Sequence, residues 1–345
     1  MAFVFLFYTE RHPQYNWDMI AYMGVVQEYE GVGLRKAHDS VYNMIKRDLP
    51  KDAYNVLTAK VEDQYECLID AKAYENELSF FRTKPLYTFT VYCLHKLGVN
   101  LVTATYIPSF FSCFVLILLI FHWLNQVTKP VVAFIIAVLL MLLPKFAELC
   151  RLSSPDAISN MLILLSIYLI HSKSKRIWIY IALAFSVLAR IDNFIFVIVI
   201  LGFQFFNQKN TKMLLLVTAG VSLLALLLIP MLLGDSYNWF MKFAFLFSVD
   251  DYLRHWKFVL FDFRYPSYMF IAIIAVLLLA FGNSTSKELT RMMLITFVIR
   301  CILFPSLQER FFIAYEFAVV VLAVHHFSMV QKNSQSKGGV GVKVN

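Results

Sequence analysis

Residues 177–206 read IWIYIALAFSVLARIDNFIFVIVILGFQFF, apolar at both ends and interrupted in the middle by Arg190, Ile191, Asp192 and Asn193. A single helix of that length would cross a ~30 Å hydrocarbon layer with an arginine and an aspartate at its centre. Two short helices meeting at the break would instead carry those charges to one surface. The placement of positive charge chooses between them. With two helices, the loops holding Lys129, then Lys173, Lys175 and Arg176, then Lys209 and Lys212, then Lys287 and Arg291, and finally Lys332, Lys337 and Lys343 all fall on one side, as cytoplasmic loops do. One helix would split them between two faces. The stretch is therefore read as two helices, and the topology of the chain follows from it.

The surrounding composition has the same character. Of 345 residues, 59% are hydrophobic and 16% charged, against about 25% charged in ordinary globular domains, so a soluble protein is excluded and the apolar surplus is expected to face lipid. Thirty-three Phe and 18 Tyr beside 11 Gly and 10 Pro exclude a disordered or collagen-like chain. The net charge is +8, yet residues 9–84 hold 10 basic and 13 acidic groups. A basic excess confined to loops between apolar runs reads as topology control, and no nucleic-acid partner is expected. The five cysteines are odd in number and widely spaced, which points neither to a disulfide framework nor to a metal site.

Further apolar runs at 101–123, 131–147, 155–171, 213–233, 268–282, 289–304 and 311–329 bring the expected count to nine spans after residue 100. The expected fold is an all-α polytopic bundle of about nine or ten spans in the cytoplasmic (inner) membrane. Residues 1–330 form the transmembrane unit, and 331–345 a disordered cytoplasmic tail. With the tail inside, residues 9–100 are external. The start of the chain must then cross as well, and Met1–Tyr8 is too short to do so: either the true N-terminus lies upstream or the first helix is stunted. Within the external segment, Val56, Leu57, Val61, Tyr65 and Leu68 recur at helical spacing and predict an amphipathic helix over 53–78. A second short helix over 85–97 opens at Pro85 and stops at Gly98.

This topology sorts the charges. Of the ten acidic residues after position 84, only Glu288 falls in a cytoplasmic loop. The external face collects Asp18, Arg82, Lys84, Lys145, Glu148, Arg151, Asp156, Arg190, Asp192, Asp250, Asp251, Arg254, Glu309 and Arg310. Charged helix ends are costly against lipid and usually turn toward a water-filled cavity, although plain snorkelling to the surface gives the same list.

The order of four stretches carries more than the list. An acidic residue early in the first external loop is followed one turn later by a tyrosine, in Asn16-Trp17-Asp18-Met19-Ile20-Ala21-Tyr22. FRTKPLYTFTVYCLHKLGVN follows at 81–100, then LSSPDAISNMLILLSIYL at 152–169 with IALAFSVLARIDNFIF at 181–196, and last QERFFIAYEF at 308–317. In this order the chain resembles the GT-C type of membrane glycosyltransferases, the multi-span enzymes that take a sugar from a polyprenyl-phosphate carrier, such as protein mannosyltransferases and aminoarabinose transferases. The likeness covers about residues 9–330. The chain departs from that pattern in having Trp17 and Met19 where a second acidic residue stands beside the first, and Pro85-Leu86 where two prolines stand.

The resemblance implies a hexosyl- or pentosyltransferase of the cell envelope, active on the external or periplasmic face. Its donor would be a polyprenyl-phosphate-linked sugar, its acceptor a glycan, lipid or protein hydroxyl, and membrane lipid its surroundings. Displacing a phosphate from an anomeric carbon needs a base for the attacking hydroxyl and cations for the leaving group. One carboxylate on the ring face opposite the phosphate is enough for inversion. Asp18 is the expected base, with helix N-capping as its competing role. Lys84, Arg190 and Arg310 are the expected phosphate ligands, with headgroup snorkelling or neutralisation of a neighbouring acid as the alternatives. Tyr22, Arg82, Asp156, Asp192 and Glu309 are expected to support them. Asp156, in the first turn of its helix, reads more strongly as a cap, and Arg300 and Glu316 are expected to pair across neighbouring spans. No cofactor is expected. The eight histidines show no ligand spacing, so no metal is assigned, although the pattern leaves a divalent ion open.

Two other readings stand beside this one. A capsule or exopolysaccharide polymerase shares long external loops and charged helix ends. A transporter or flippase for a lipid-linked or small substrate would show two halves of matched hydropathy, which are not evident in this chain.

Overall fold

The computed structural model describes residues 13–59, 62–207, 248–262, 266–304 and 308–338. The apolar run at 213–233, the opening Met1–Tyr8, Asp235 and the lysines at 209, 212 and 343 lie outside them. Among the described residues every regular element is helical, and the one strand-like contact is an isolated bridge between Gln14 and Leu152.

The N-terminal part is a layer of six helices: α1 (Trp17–Tyr29), α2 (Leu34–Asp48), α3 (Lys51–Leu57), α4 (Glu62–Ile69), α5 (Ala71–Arg82) and α6 (Pro85–Lys96). α1 is its hub. Met19, Ile20, Ala21, Tyr22, Met23, Val25 and Val26 are all buried, because α2, α5, α6 and the following helix close around α1. Gly24 permits the closest approach: a Cβ there would stand 2.2 Å from the Tyr74 hydroxyl. The single amphipathic helix expected over 53–78 is three helices. α3 stops at Thr58, whose hydroxyl turns back to the Tyr54 carbonyl at 2.8 Å, and Asp70 starts α5 by accepting the Lys72 N–H at 2.9 Å. The helix expected at 85–97 is present. Pro85 opens it, and Gly98 closes it at φ +91°, a conformation glycine adopts without strain.

Asn100 caps the next helix by accepting the Val102 N–H at 2.9 Å, and the bundle follows. Its helices are α7 (Leu101–Val127), α8 (Pro130–Met141), α9 (Pro144–Arg151), α10 (Asp156–His171), α11 (Arg176–Ala189), α12 (Phe194–Asn207), α13 (Val249–Asp262), α14 (Pro266–Phe281), α15 (Ser284–Leu303) and α16 (Ile313–Gly338). Two of them, Leu101–Val127 and Ile313–Lys332, are long and apolar enough to cross a membrane, and α8 with α9 makes a third if that bent pair is one span. The pair bends by 67°, so the run expected to be one span over 131–147 is broken. Pro144 cannot continue a helix through Leu142–Leu143 and starts a new one instead. The interruption read at 190–193 is real: α11 ends at Ala189, a 3-10 turn covers Ile191–Asn193, and α12 begins at Phe194. α16 continues to Gly338.

Around the bundle perimeter Phe111, Val131, Phe134, Leu139, Trp178, Ile198, Phe270, Ile273, Val276 and Val298 are exposed. Exposed apolar side chains in this number fit lipid better than water. Along the bundle, α10 runs about 22 Å from Asp156 to His171, and α15 runs about 24 Å in the opposite sense, from Ser284 to Arg300. One end therefore gathers Asp156, Arg190, Arg300 and Arg310. The other gathers Lys173, Arg176, Lys287 and Arg291, and there Trp123 meets His171 at 3.2 Å and His171 meets His325 at 3.3 Å. The N-terminal layer covers the first end, where Ile158, Leu162 and Ala189 join its core.

Candidate functional site

The covered end holds a chain of ion pairs. Asp156 opens α10, but its carboxylate does not cap that helix. It pairs with Arg190 at the 190–193 break and with Arg310 Nε at 3.3 Å, and it accepts the Ser154 hydroxyl at 3.0 Å. Asp156 does stand in the first turn of α10, as expected, but its carboxylate bridges two guanidinium groups, far stronger partners than first-turn amides, instead of making a capping bond. Arg190 also forks onto Asp192, with Nε and Nη2 each 3.0 Å from a carboxylate oxygen. Asp192 in turn holds Arg300. The order in space is Arg310, Asp156, Arg190, Asp192, Arg300. The ring of Phe311 lies against all three guanidinium groups, at 5.2 Å from Arg310, 4.2 Å from Arg190 and 4.8 Å from Arg300.

The expected Arg300–Glu316 pair does not form. Glu316 pairs with Lys145 of α9, and Arg300 reaches Asp192. Sequence establishes that an arginine inside an apolar helix needs a carboxylate, but rotation about the helix axes decides which one. Arg300 and Asn160 are members of this site that the sequence reading did not place there. Asn160 donates to the Asp156 carbonyl at 2.8 Å and to the Arg310 carbonyl at 2.7 Å, and it accepts the Ala314 N–H at 2.8 Å. The signal available in the sequence was a lone amide in the apolar run of α10.

A scan against protein-family models and searches of curated proteins and of solved structures found no match to this chain. The case for a function therefore rests on this geometry.

Asp18 and Lys84 face the same end from the N-terminal layer. Asp18 lies in the first turn of α1, two residues past the cap position. Asn16 occupies that position, and it too makes no side-chain capping bond. The capping role considered for Asp18 is accordingly not the one it plays. Its carboxylate makes no hydrogen bond or ion pair among the described residues, yet it feels the charges of Arg310, Lys84 and Arg190 and the opposing charge of Asp156. Loss of hydration raises its pKa above the ordinary carboxylate value; the three cations pull the other way without cancelling it. Beside it, Asn16 Oδ1 and Trp17 Nε1 are buried without a partner among the described residues.

Lys84 is 6% exposed, with its ammonium 3.2 Å from the centre of the Phe80 ring and donating to the Phe80 carbonyl at 3.0 Å. Burial holds its pKa well below the usual lysine value and the Arg190 charge adds to this, while Asp18, Asp192 and Asp156 oppose it. Tyr22, one turn after Asp18, is fully buried between Phe81 at 4.9 Å and Tyr87 at 4.5 Å, so it fixes the rotation of α1 and with it the direction of Asp18. Arg82 belongs elsewhere. It grips Glu28 with Nε at 2.8 Å, tying α5 to the far end of α1, about 15 Å along that helix from Asp18. The side chain of Glu309 lies outside the description.

In the ion-paired chain, Arg190, Arg300 and Arg310 thus stand against Asp156 and Asp192, an excess of one positive charge. Cavities of about 650, 390, 190 and 220 Å3 elsewhere among the described residues are lined by other side chains. No group of three or more His, Cys, Asp or Glu side chains suited to a metal occurs among the described residues.

Proposed function

We propose that this chain is a multi-span membrane glycosyltransferase that moves a sugar from a polyprenyl-phosphate donor to a hydroxyl acceptor, with inversion, at the end of the bundle carrying Asp18. The observation that carries the reading is convergence: residues from four separated stretches, Asp18, Lys84, Asp156 with Arg190, and Arg310, meet at one end, and among the described carboxylates of that end Asp18 is the one without a hydrogen-bond or ion-pair partner. In this reading the bundle crosses the bilayer nine times after residue 100, using helices α10, α11, α12 and α14 that are individually short. The end with Lys173, Arg176, Lys287 and Arg291 faces the cytoplasm, as basic loops do.

The reaction follows from the groups present. Asp18 takes the proton from the acceptor hydroxyl as its oxygen attacks the anomeric carbon. The bond from that carbon to the phosphate oxygen breaks, and the carrier leaves as a phosphate monoester with one more negative charge than it carried in the diester. Arg310 and Lys84 meet that charge directly, and Arg190, clamped by Asp156 and Asp192, adds a fixed positive field behind them. Asp18, with its pKa raised by lost hydration, is a better base than an exposed carboxylate. Asn16 and Trp17 offer an acceptor and a donor to sugar or acceptor hydroxyls.

The test is transfer of a labelled sugar from polyprenyl-phosphate donors by the purified, reconstituted chain. Transfer that requires Asp18 supports the proposal. Absence of both donor binding and transfer across hexose and pentose donors, in a preparation that melts cooperatively, would remove it.

A further inference from the structure

At the opposite end, a cavity of about 650 Å3 opens between α12 and α15. Its walls change character along its length. On α15 the lining passes from Ser284 and Lys287 through Arg291 to Ile295, and on α12 Gly202 gives way to Val199 and Ile198. Lys287 and Arg291 lie one turn apart on the same helix face, and neither makes an ion pair among the described residues. Ile198 and Ile295, at 55% and 41% exposed, open the apolar end onto the bundle perimeter. Gly202 keeps the groove open: a Cβ added there would meet nothing within 4 Å. A second cavity, of about 390 Å3, shares Glu288 with the first and adds Lys173 and Arg176 to the rim. Four cations thus surround one carboxylate.

We infer that this groove binds one anionic phospholipid, its phosphate at Lys287 and Arg291 and an acyl chain running past Gly202 toward Ile198 and Ile295. The polar-to-apolar gradient matches the depth profile of a leaflet, the mouth is positive and the apolar end opens toward lipid. A soluble anion would use only the positive mouth, and a protein segment would not need the gradient. Basic pockets between spanning helices are a recognised way of holding acidic headgroups. The inference requires that the chain lie in a bilayer; it does not require the transfer reaction, whose cluster ends on α15 at Arg300, about 14 Å along the helix from Arg291 and about 20 Å from Lys287.

The test is binding of phosphatidylglycerol carrying a fluorescent acyl chain to the detergent-purified chain, against phosphatidylcholine with the same label. Phosphatidylglycerol should bind more tightly. The double variant Lys287→Gln, Arg291→Gln should weaken it by roughly 10- to 30-fold and leave phosphatidylcholine unchanged. Gly202→Leu should weaken both lipids by filling the chain groove. Equal binding of the two lipids, or phosphatidylglycerol binding untouched by the charge variant, overturns the inference. Displacement of the lipid by millimolar inorganic phosphate also overturns it, because the site would then be one for a free anion. The Lys287→Gln, Arg291→Gln variant lies far from Asp18, so a failure here leaves the transfer assay unaffected and the two readings fail separately.

Discussion

Asn160 donates to the backbone carbonyl of Arg310 across 150 residues of sequence, at 2.7 Å, and accepts the N–H of Ala314 one turn further on. One buried amide therefore fixes where α16 begins and so where the Arg310 guanidinium stands. Asn160→Leu removes these bonds and strands two polar groups beside the charge cluster. It should cost about 2–4 kcal/mol, read as a fall in melting temperature in detergent. Asn160→Asp keeps the acceptor for Ala314 but turns both donors into acceptors facing carbonyls. It should be at least as damaging, and milder behaviour than Asn160→Leu would show that the donor contacts matter little.

Gly24 gives a second, purely steric expectation. Alanine would raise helix propensity in α1 by about 1 kcal/mol. Its Cβ, however, would stand 2.2 Å from the Tyr74 hydroxyl and 2.9 Å from Leu78, and that hydroxyl is tied to the Ile20 carbonyl at 2.7 Å and cannot easily retreat. Gly24→Ala should therefore lower stability by about 1–3 kcal/mol despite the propensity gain. Removing the hydroxyl as well, in Gly24→Ala with Tyr74→Phe, should recover part of the loss. An unchanged melting temperature in the single variant would mean that α1 and α5 can separate freely.

Arg190 is expected to behave differently from Lys84 when each is replaced. Arg190 neutralises two carboxylates at once, so Arg190→Gln leaves Asp156 and Asp192 with Arg310 and Arg300 alone. A loss of about 3–5 kcal/mol is expected, as for breaking a buried pair from one side. Arg190→Lys keeps the charge but cannot span both carboxylate oxygens of Asp192, and it should recover only part. Lys84 pairs with no carboxylate among the described residues, so Lys84→Met should leave melting nearly unchanged while weakening binding of the polyprenyl-phosphate donor. Equal stability losses in the two variants would count against this division of roles.

The sequence announced the breaks that polarity marks and missed those that geometry makes. Arg190–Asn193 interrupts an apolar run with charge, so the division between α11 and α12 was legible, as was the Pro85 to Gly98 helix with its proline start and glycine stop. The 67° bend before Pro144 falls inside an unbroken apolar run, where hydropathy hides it and only the proline hints at it. Asp70 as a helix start was masked by the amphipathic period on both sides of it. At the site, the sequence nominated the charged residues by type and order, but not their partners. Asp156 was read as a cap and Arg300 as the partner of Glu316, because the rotation of α10, α15 and α16 about their own axes is set by packing that no local pattern encodes.

Asp18 allows stability and catalysis to be separated by pH. Its carboxyl titrates above the ordinary value in the fold, so between the two values the folded chain binds more protons than the unfolded one. Stability from this group is full below the unfolded value and declines as pH rises through the folded one, which means ionised Asp18 is a cost at neutral pH. Asp18→Asn should remove that cost. The variant should melt at the same or a higher temperature than the native chain at neutral pH, with the difference closing in acid. Because Asn16, not Asp18, sits at the cap position of α1, no capping bond is lost in either Asp18→Asn or Asp18→Ser. Transfer should behave in the opposite way: neither variant can take a proton, and each should lose most of a contribution of ~10²–10⁴-fold. The native pH–rate profile should rise through the raised pKa of Asp18, and that limb should vanish in both variants. Lower stability together with lost transfer would mark Asp18 as a structural anion for Lys84 and Arg310. Full transfer in both variants would take it out of the mechanism and turn attention to Asp250 and Asp251, the carboxylates that open α13.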